Sequence, residues 1–185
     1  VKLLIDCHSR FDVTTAPSIC AELSTCSIDW FEEPIGPVED PVGLTRIAST
    51  VSVPVAGGES GYGESFFNEI MEMGAVEVVM PDIKHCGGVA EAVKIGYSAT
   101  RFGKRYSLHS PSGPVSLLAS AHATAAVEHS FALEHAIDEV SWRHELITPA
   151  EIVYDGTLVI PDGTGLGCEL NWDLVLERGK KYDPD

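Results

Sequence analysis

The chain has 185 residues, 44% of them hydrophobic, and a formal charge of −16 at pH 7. That is enough apolar material for one buried core, while so much negative charge argues against nucleic acid or an anionic membrane surface as a partner. No apolar run approaches the roughly 18 residues of a membrane span, so no membrane partner is expected and a cytoplasmic location is.

Five cysteines, odd in number and with no CxxC, are expected as reduced thiols, with Cys7 and Cys20 buried. In chain order, the apolar run before Asp6 reads as a strand and Pro17–Ser24 as a helix, a proline suiting its start. Ile28–Phe31 is the next strand, stopped by Pro34, and Asp40–Ser49 the next helix. Val53–Ala56 is a strand, and Gly57-Gly58 after it lets backbone come close to whatever binds at Glu59. Glu64–Met73 is helical, with Gly74 as its C-cap. Val76–Met80, apolar apart from Glu77, reads as a strand of the kind buried on both faces. A helix over Val89–Arg101, a strand Tyr106–Leu108, an Ala-rich helix Val115–Ala126 and a strand Phe131–Leu133 follow. After about Trp142 the character changes: Glu151–Ile160 reads as a hairpin around Asp155-Gly156, before a glycine-rich stretch over 163–167.

Six polar residues stand at the ends of these apolar runs: Asp6, Glu32, Glu59, Asp82, His109 and Glu134. The gaps between them are 26, 27, 23, 27 and 25 residues, about what one strand–helix unit needs. An Asp or Glu after an apolar run is most often a helix cap or a solvated loop residue; six in register are harder to set aside. The spacing predicts an α/β fold, a parallel β/α (TIM-like) barrel with about six of eight units present and the six groups around one mouth. The barrel portion is expected over 1–145, and 146–185 as a C-terminal segment packing on it or on a further domain. Six units would leave open edges, so the chain is expected to be the later part of a longer protein and inactive as an isolated fragment.

Asp6, Glu32 and Glu59 fall on three successive strand ends. Three converging carboxylates repel one another without a cation, and hard oxygen donors suit Mg²⁺, with Mn²⁺ as substitute. Glu33 competes with Glu32 for that place, and alternation sends the two to opposite faces. Asp82 and His109 lie on adjacent strands, about 4.8 Å apart, so Asp82 can hold one imidazole nitrogen and leave the other as a general base. His8 follows Asp6 by two residues, as a second titratable group over the metal. Glu134, in protonated form, can donate to a substrate oxygen across the mouth. Taken singly, His109 could be a satisfied core histidine and His8 a surface one. His122, His129, His135 and His144 read as structural, and Lys84 and His85 stay unassigned.

The motifs DCHSRF, WFEEP, AGGES, MPDIKHCGG, SLHSPSGP and ALEHA, in this order and spacing, resemble the barrel of the enolase superfamily, mandelate racemase subgroup, and within it the galactonate-type acid-sugar dehydratases. The superfamily uses a Lys or His base with Mg²⁺ to stabilise an enediolate. The resemblance implies Asp6, Glu32 and Glu59 as metal ligands, His109 with Asp82 as the base dyad, Glu134 as electrophilic donor and His8 as general acid. It implies Mg-dependent dehydration of a sugar acid, an aldonate or aldarate, to a 2-keto-3-deoxy acid by a homo-oligomeric full-length enzyme. The family's N-terminal capping domain and first two barrel strands are not represented. A lysine base on one of those strands would make the reaction a racemisation or epimerisation of a 2-hydroxy acid. Lys84 is a weaker cue towards the muconate-lactonising subgroup. A non-catalytic fragment of the same ancestry, or an unrelated metal-assisted β/α hydrolase, completes the alternatives.

Overall fold

In the computed structural model, which describes residues 1–137 and 139–180, five strands alternate with five helices. They are β1 (Leu3–Asp6), α1 (Ala16–Leu23), β2 (Ile28–Glu32), α2 (Pro41–Thr50), β3 (Val55–Gly57), α3 (Gly63–Glu72), β4 (Val78–Val79), α4 (Val89–Arg101), β5 (Arg105–Tyr106) and α5 (Pro114–Ala126). The strands form one sheet in chain order, and every neighbouring pair is parallel. The chain is thus α/β, with each helix returning it to the start of the next strand.

Local chemistry sets the helix starts. Pro occupies the first turn of α1, α2 and α5, where its missing N–H costs nothing. The Asp40 carboxylate caps α2 by accepting from Gly43 N–H at 2.8 Å. Alternation along the strands divides the core in two. Phe31, Val55 and Val79 join Leu44, Ile47, Phe67, Ile70 and Ile95 in a cluster between sheet and helices. Trp30, Ala56, Val78 and Met80 form a second cluster on the other face, with Phe131 against them. Both faces of β2, β3 and β4 are therefore buried, and within Val76–Met80 the one charged residue, Glu77, is exposed just before β4. Only Val78 and Val79 of that run pair as strand.

The sixth expected strand, Phe131–Leu133, is not one. Phe131 N–H donates to the Tyr106 carbonyl at 2.7 Å, and the Ser107 hydroxyl donates to the Ala132 carbonyl at 2.6 Å. One backbone bond and one side-chain bond hold the segment beside β5 without extending the sheet.

Beyond it the chain becomes irregular. β6 (Ile147–Thr148) pairs antiparallel with β9 (Glu169–Leu170), and β7 (Ile152–Tyr154) with β8 (Thr157–Val159). The β7–β8 turn is Asp155-Gly156, with φ of 49° and 72°, the left-handed pair a two-residue hairpin requires. Arg143 grips Glu151 with two bonds of 3.0 and 2.8 Å. A short helix, α6 (Trp172–Arg178), opens on Asn171, whose side chain accepts from Leu174 N–H; the sequence reading did not foresee it, although an Asn before an apolar-containing WDLVLER run is a start signal. Residues 181–185, the end of the segment expected from 146, lie outside the described residues. No helix among the described residues is long and apolar enough to cross a membrane.

Candidate active site

Five of the six expected residues stand at or just past the C-terminal ends of the parallel strands. Asp6 closes β1 and Glu32 closes β2, directly opposite each other in register. Glu59 follows β3 by two residues. Asp82 and His109 lie just past β4 and β5 and face each other as an isolated parallel bridge. Glu134 lies just beyond the Phe131 segment.

His109 sits between two carboxylates. Its Nδ1 is 2.9 Å from Asp82 Oδ2, and its Nε2 is 3.2 Å from Glu59 Oε2. Burial pulls the imidazole down, but the Asp82 bond and the charges of Glu59 and Glu134 outweigh it and lift it above its ordinary value. Asp82 is fully buried. Burial raises its carboxyl, yet the bonds from His109 and from the backbone and side chain of Lys84 hold it below the usual carboxylate range. Lys84 reaches Asp82 Oδ2 at 3.2 Å, the same oxygen that meets His109, and its Nζ also meets the Ser112 hydroxyl. The unassigned Lys84 is therefore the charged partner of the carboxylate behind His109.

His8 takes a left-handed backbone, φ 50°, and its N–H donates to Asp6 Oδ1 at 2.7 Å. The turn brings its Nδ1 to 3.7 Å from Asp6 Oδ2 and 4.0 Å from Glu59 Oε1. His8 is exposed, with 64% of its side chain open to solvent, so a bound molecule can reach it. The two imidazoles thus meet different oxygens of one glutamate.

The remaining carboxylates border a cavity of about 220 Å³ lined by Asp6, Glu32 and Glu134 together with Trp30 and Met80. Burial pushes the Glu32 carboxyl up to about 8; the Trp30 indole N–H, 3.0 Å from Glu32 Oε2, opposes this, while Asp6 and Glu134 add repulsion. Glu134 Oε2 accepts from Ser110 N–H at 2.8 Å. A larger apolar cavity of about 340 Å³ lies between α5 and the β7–β8 hairpin and shares Ala132 and Leu133 with the carboxylate cavity.

Glu33 does not compete for that cavity. It has φ 34°, so the strand ends at Glu32 and the Glu33 side chain turns to the next loop, where Oε1 accepts from Gly58 N–H at 2.8 Å and Glu59 N–H at 3.2 Å. Gly57 leaves room for this: a Cβ there would stand 2.9 Å from Glu33 Cγ. The close approach expected at the two glycines comes from within the chain. The signal was present in the sequence as a second Glu in WFEEP, but its partner lies on another unit.

The expectation that Asp6, Glu32 and Glu59 close on one point is not met. Among the described residues, no group of three or more His, Cys, Asp or Glu stands ready to hold an ion. Like charges separate, and Glu59 meets the imidazoles instead. The donor chemistry nonetheless fits a hard dication: all three donors are carboxylates, Asp6 and Glu59 approach the same His8 nitrogen, and buried Glu32 feels the charge of Asp6. The cysteines offer no competing chemistry at this end. Cys7 is buried, and burial pushes its thiol up to about 12. Among the other histidines, His122 lies 3.4 Å from the Leu166 carbonyl, while His129 and His144 pair with their neighbours Glu128 and Glu145.

Parallel strand–helix units with polar groups gathered at the strand ends are the arrangement on which β/α-barrel enzymes build their active sites. The chain belongs to the enolase C-terminal domain-like family, whose model matches residues 1–174. D-xylonate dehydratase of Haloferax volcanii is 31% identical over 170 residues, covering 92% of this chain and 41% of that protein. D-galactarolactone cycloisomerase of Agrobacterium fabrum is 31% identical, covering 96% of this chain and 49% of that protein. The solved structure of a mandelate racemase/muconate lactonizing enzyme from Jannaschia sp. CCS1 matches with a TM-score of 0.91 at 27% identity, over 99% of this chain and 46% of that one. The chain spans about half the length of these relatives.

Proposed function

We propose that the intact protein dehydrates a sugar acid, an aldonate or aldarate, to a 2-keto-3-deoxy acid through an enediolate. The observation that carries this reading is the His109 imidazole, backed by buried Asp82 at 2.9 Å and facing Glu59 at 3.2 Å, with His8 against the other oxygen of Glu59. Mg²⁺, or Mn²⁺ in its place, held by Asp6, Glu32 and Glu59, would supply positive charge to the substrate carboxylate and ease loss of the α-proton. It would also offset the chain's charge of −16 towards an anionic substrate.

Each side chain then has one task. Asp82 fixes the ring of His109 through Nδ1, so Nε2 is the atom that takes the α-proton. His8, exposed at the mouth, gives a proton to the β-hydroxyl as it leaves. Glu134, in its protonated form, donates to the enolate oxygen. The product enol becomes the keto acid. In this reading the enzyme is a cytoplasmic homo-oligomer with a small-molecule partner.

A second reading, racemisation or epimerisation of a 2-hydroxy acid, is favoured by the same pair of imidazoles, because two proton carriers beside one point can exchange a single α-proton. The choice is made by following turnover of a sugar-acid library in deuterated solvent. His109→Asn should stop α-proton exchange. His8→Asn should block hydroxyl loss while leaving some exchange, since abstraction comes first. A His8 variant that dehydrates at the parental rate would remove the acid role from His8, whereas a parent that exchanges the α-proton and inverts its centre with no loss of hydroxyl would move the assignment to the second reading. Absence of exchange on every sugar acid would favour a non-catalytic protein.

A further inference from the structure

Glu33 is the charged residue that the chemistry above leaves without a task. It is 4% exposed and has a left-handed backbone, φ 34°, which a non-glycine residue rarely adopts. Strain of this kind persists where surrounding contacts over-determine it and is often found beside functional groups. The contacts here run to two other strand ends. Towards β3, Glu33 N–H donates to the Ala56 carbonyl at 3.0 Å, and Oε1 accepts from Gly58 and Glu59 N–H. Towards β1, the Glu33 carbonyl accepts from Ser9 N–H at 2.7 Å, and Oε2 lies 3.4 Å from the Ser9 hydroxyl. His8 and Ser9 are themselves consecutive left-handed residues, φ 50° and 54°, a turn that needs outside support.

We propose that Glu33 is a positioning residue that pins the His8–Ser9 turn and the Gly58–Glu59 turn to each other across β2. It holds the backbone of Glu59 through both acceptor contacts on Oε1, and the backbone of the residue after His8 through its own carbonyl. A shift of either turn would move a proton carrier or a carboxylate donor, and placement errors of about 1 Å are costly in such sites. The role of Glu33 is that of an acceptor of fixed geometry, and it rests on the reading of Glu59 as a metal ligand.

The test uses the intact protein and two readouts: Mn²⁺ binding by electron paramagnetic resonance, and amide hydrogen exchange at Gly58 and Glu59 in metal-free protein. Glu33→Ala should weaken Mn²⁺ binding about 10- to 100-fold, as loss of supporting hydrogen bonds does elsewhere, and speed exchange at both amides. Gly57→Ala should do the same with every carboxylate retained, because its Cβ would displace Glu33. Glu33→Gln keeps an acceptor oxygen and should restore binding to within about threefold of the parent. Parental binding and protection in Glu33→Ala, or in Gly57→Ala should the first variant not fold, would overturn the proposal. So would a Gln variant as impaired as Ala. A parent that binds no Mn²⁺ would defeat the metal reading, and amide exchange at Gly58 and Glu59 would still decide the role of Glu33.

Discussion

Two sets of carboxylates share the C-terminal ends of the strands and are held in opposite ways. Glu59 and Asp82 meet nitrogen: His109 and His8 for the first, His109 and Lys84 for the second. Glu32 meets the Trp30 indole but also the charges of Asp6 and Glu134. Burial raises both Asp82 and Glu32, yet Asp82 ends below its ordinary value and Glu32 is pushed up to about 8. Burial drives both carboxyls up, and only at Asp82 do the hydrogen-bonding neighbours outweigh it. The paired set is built to hold a histidine, and the unpaired set is one that a cation would stabilise.

The contrast can be broken from either side. Glu59 borders both sets, so its loss should have the largest effect: Glu59→Gln should abolish metal-dependent turnover while circular dichroism stays native. Full activity in EDTA-treated protein would show that the carboxylates do not act through a metal. On the paired side, Asp82→Asn should cost about 1–3 kcal/mol of stability at neutral pH, because it weakens a buried hydrogen-bonded charge. The sign follows from a depressed carboxyl: its stabilisation is present above the unfolded value, 3.8, and is lost as pH falls through the lower folded value. The gap between parent and Asp82→Asn in urea unfolding should thus close in acid, and a gap independent of pH would refute the ionised assignment. The smallest effect is expected of Lys84→Met. Lys84 is 42% exposed at its side chain, solvent screens the pair, and a loss of about 0.2–1 kcal/mol is expected. A loss of several kcal/mol would mean that Lys84, more than His109, holds the Asp82 charge.

Much of the architecture was legible because it is local. Val89–Arg101 is a helix with the bounds its pattern predicts, and the Asp155-Gly156 turn makes the expected hairpin. Pro17 and Asp40 marked helix starts through interactions spanning a few residues. The failures are non-local. The Phe131 segment shares a single backbone bond, with Tyr106, and does not join the sheet. β6 and β9 escaped notice because two-residue strands carry no period, and their pairing joins Ile147 to Leu170.

The site divides the same way. Sequence alone determined that Asp6, Glu32, Glu59, Asp82 and His109 stand at or just past successive strand ends, because a repeated strand–helix unit returns the chain to the same level every 23 to 27 residues. Which of them touch was decided by tertiary structure. Glu59 turned to His109, and Glu33 to the Gly58–Glu59 amides. Those choices depend on backbone angles at single residues and on charges brought within about 4 Å from distant parts of the chain, and no local pattern encodes them.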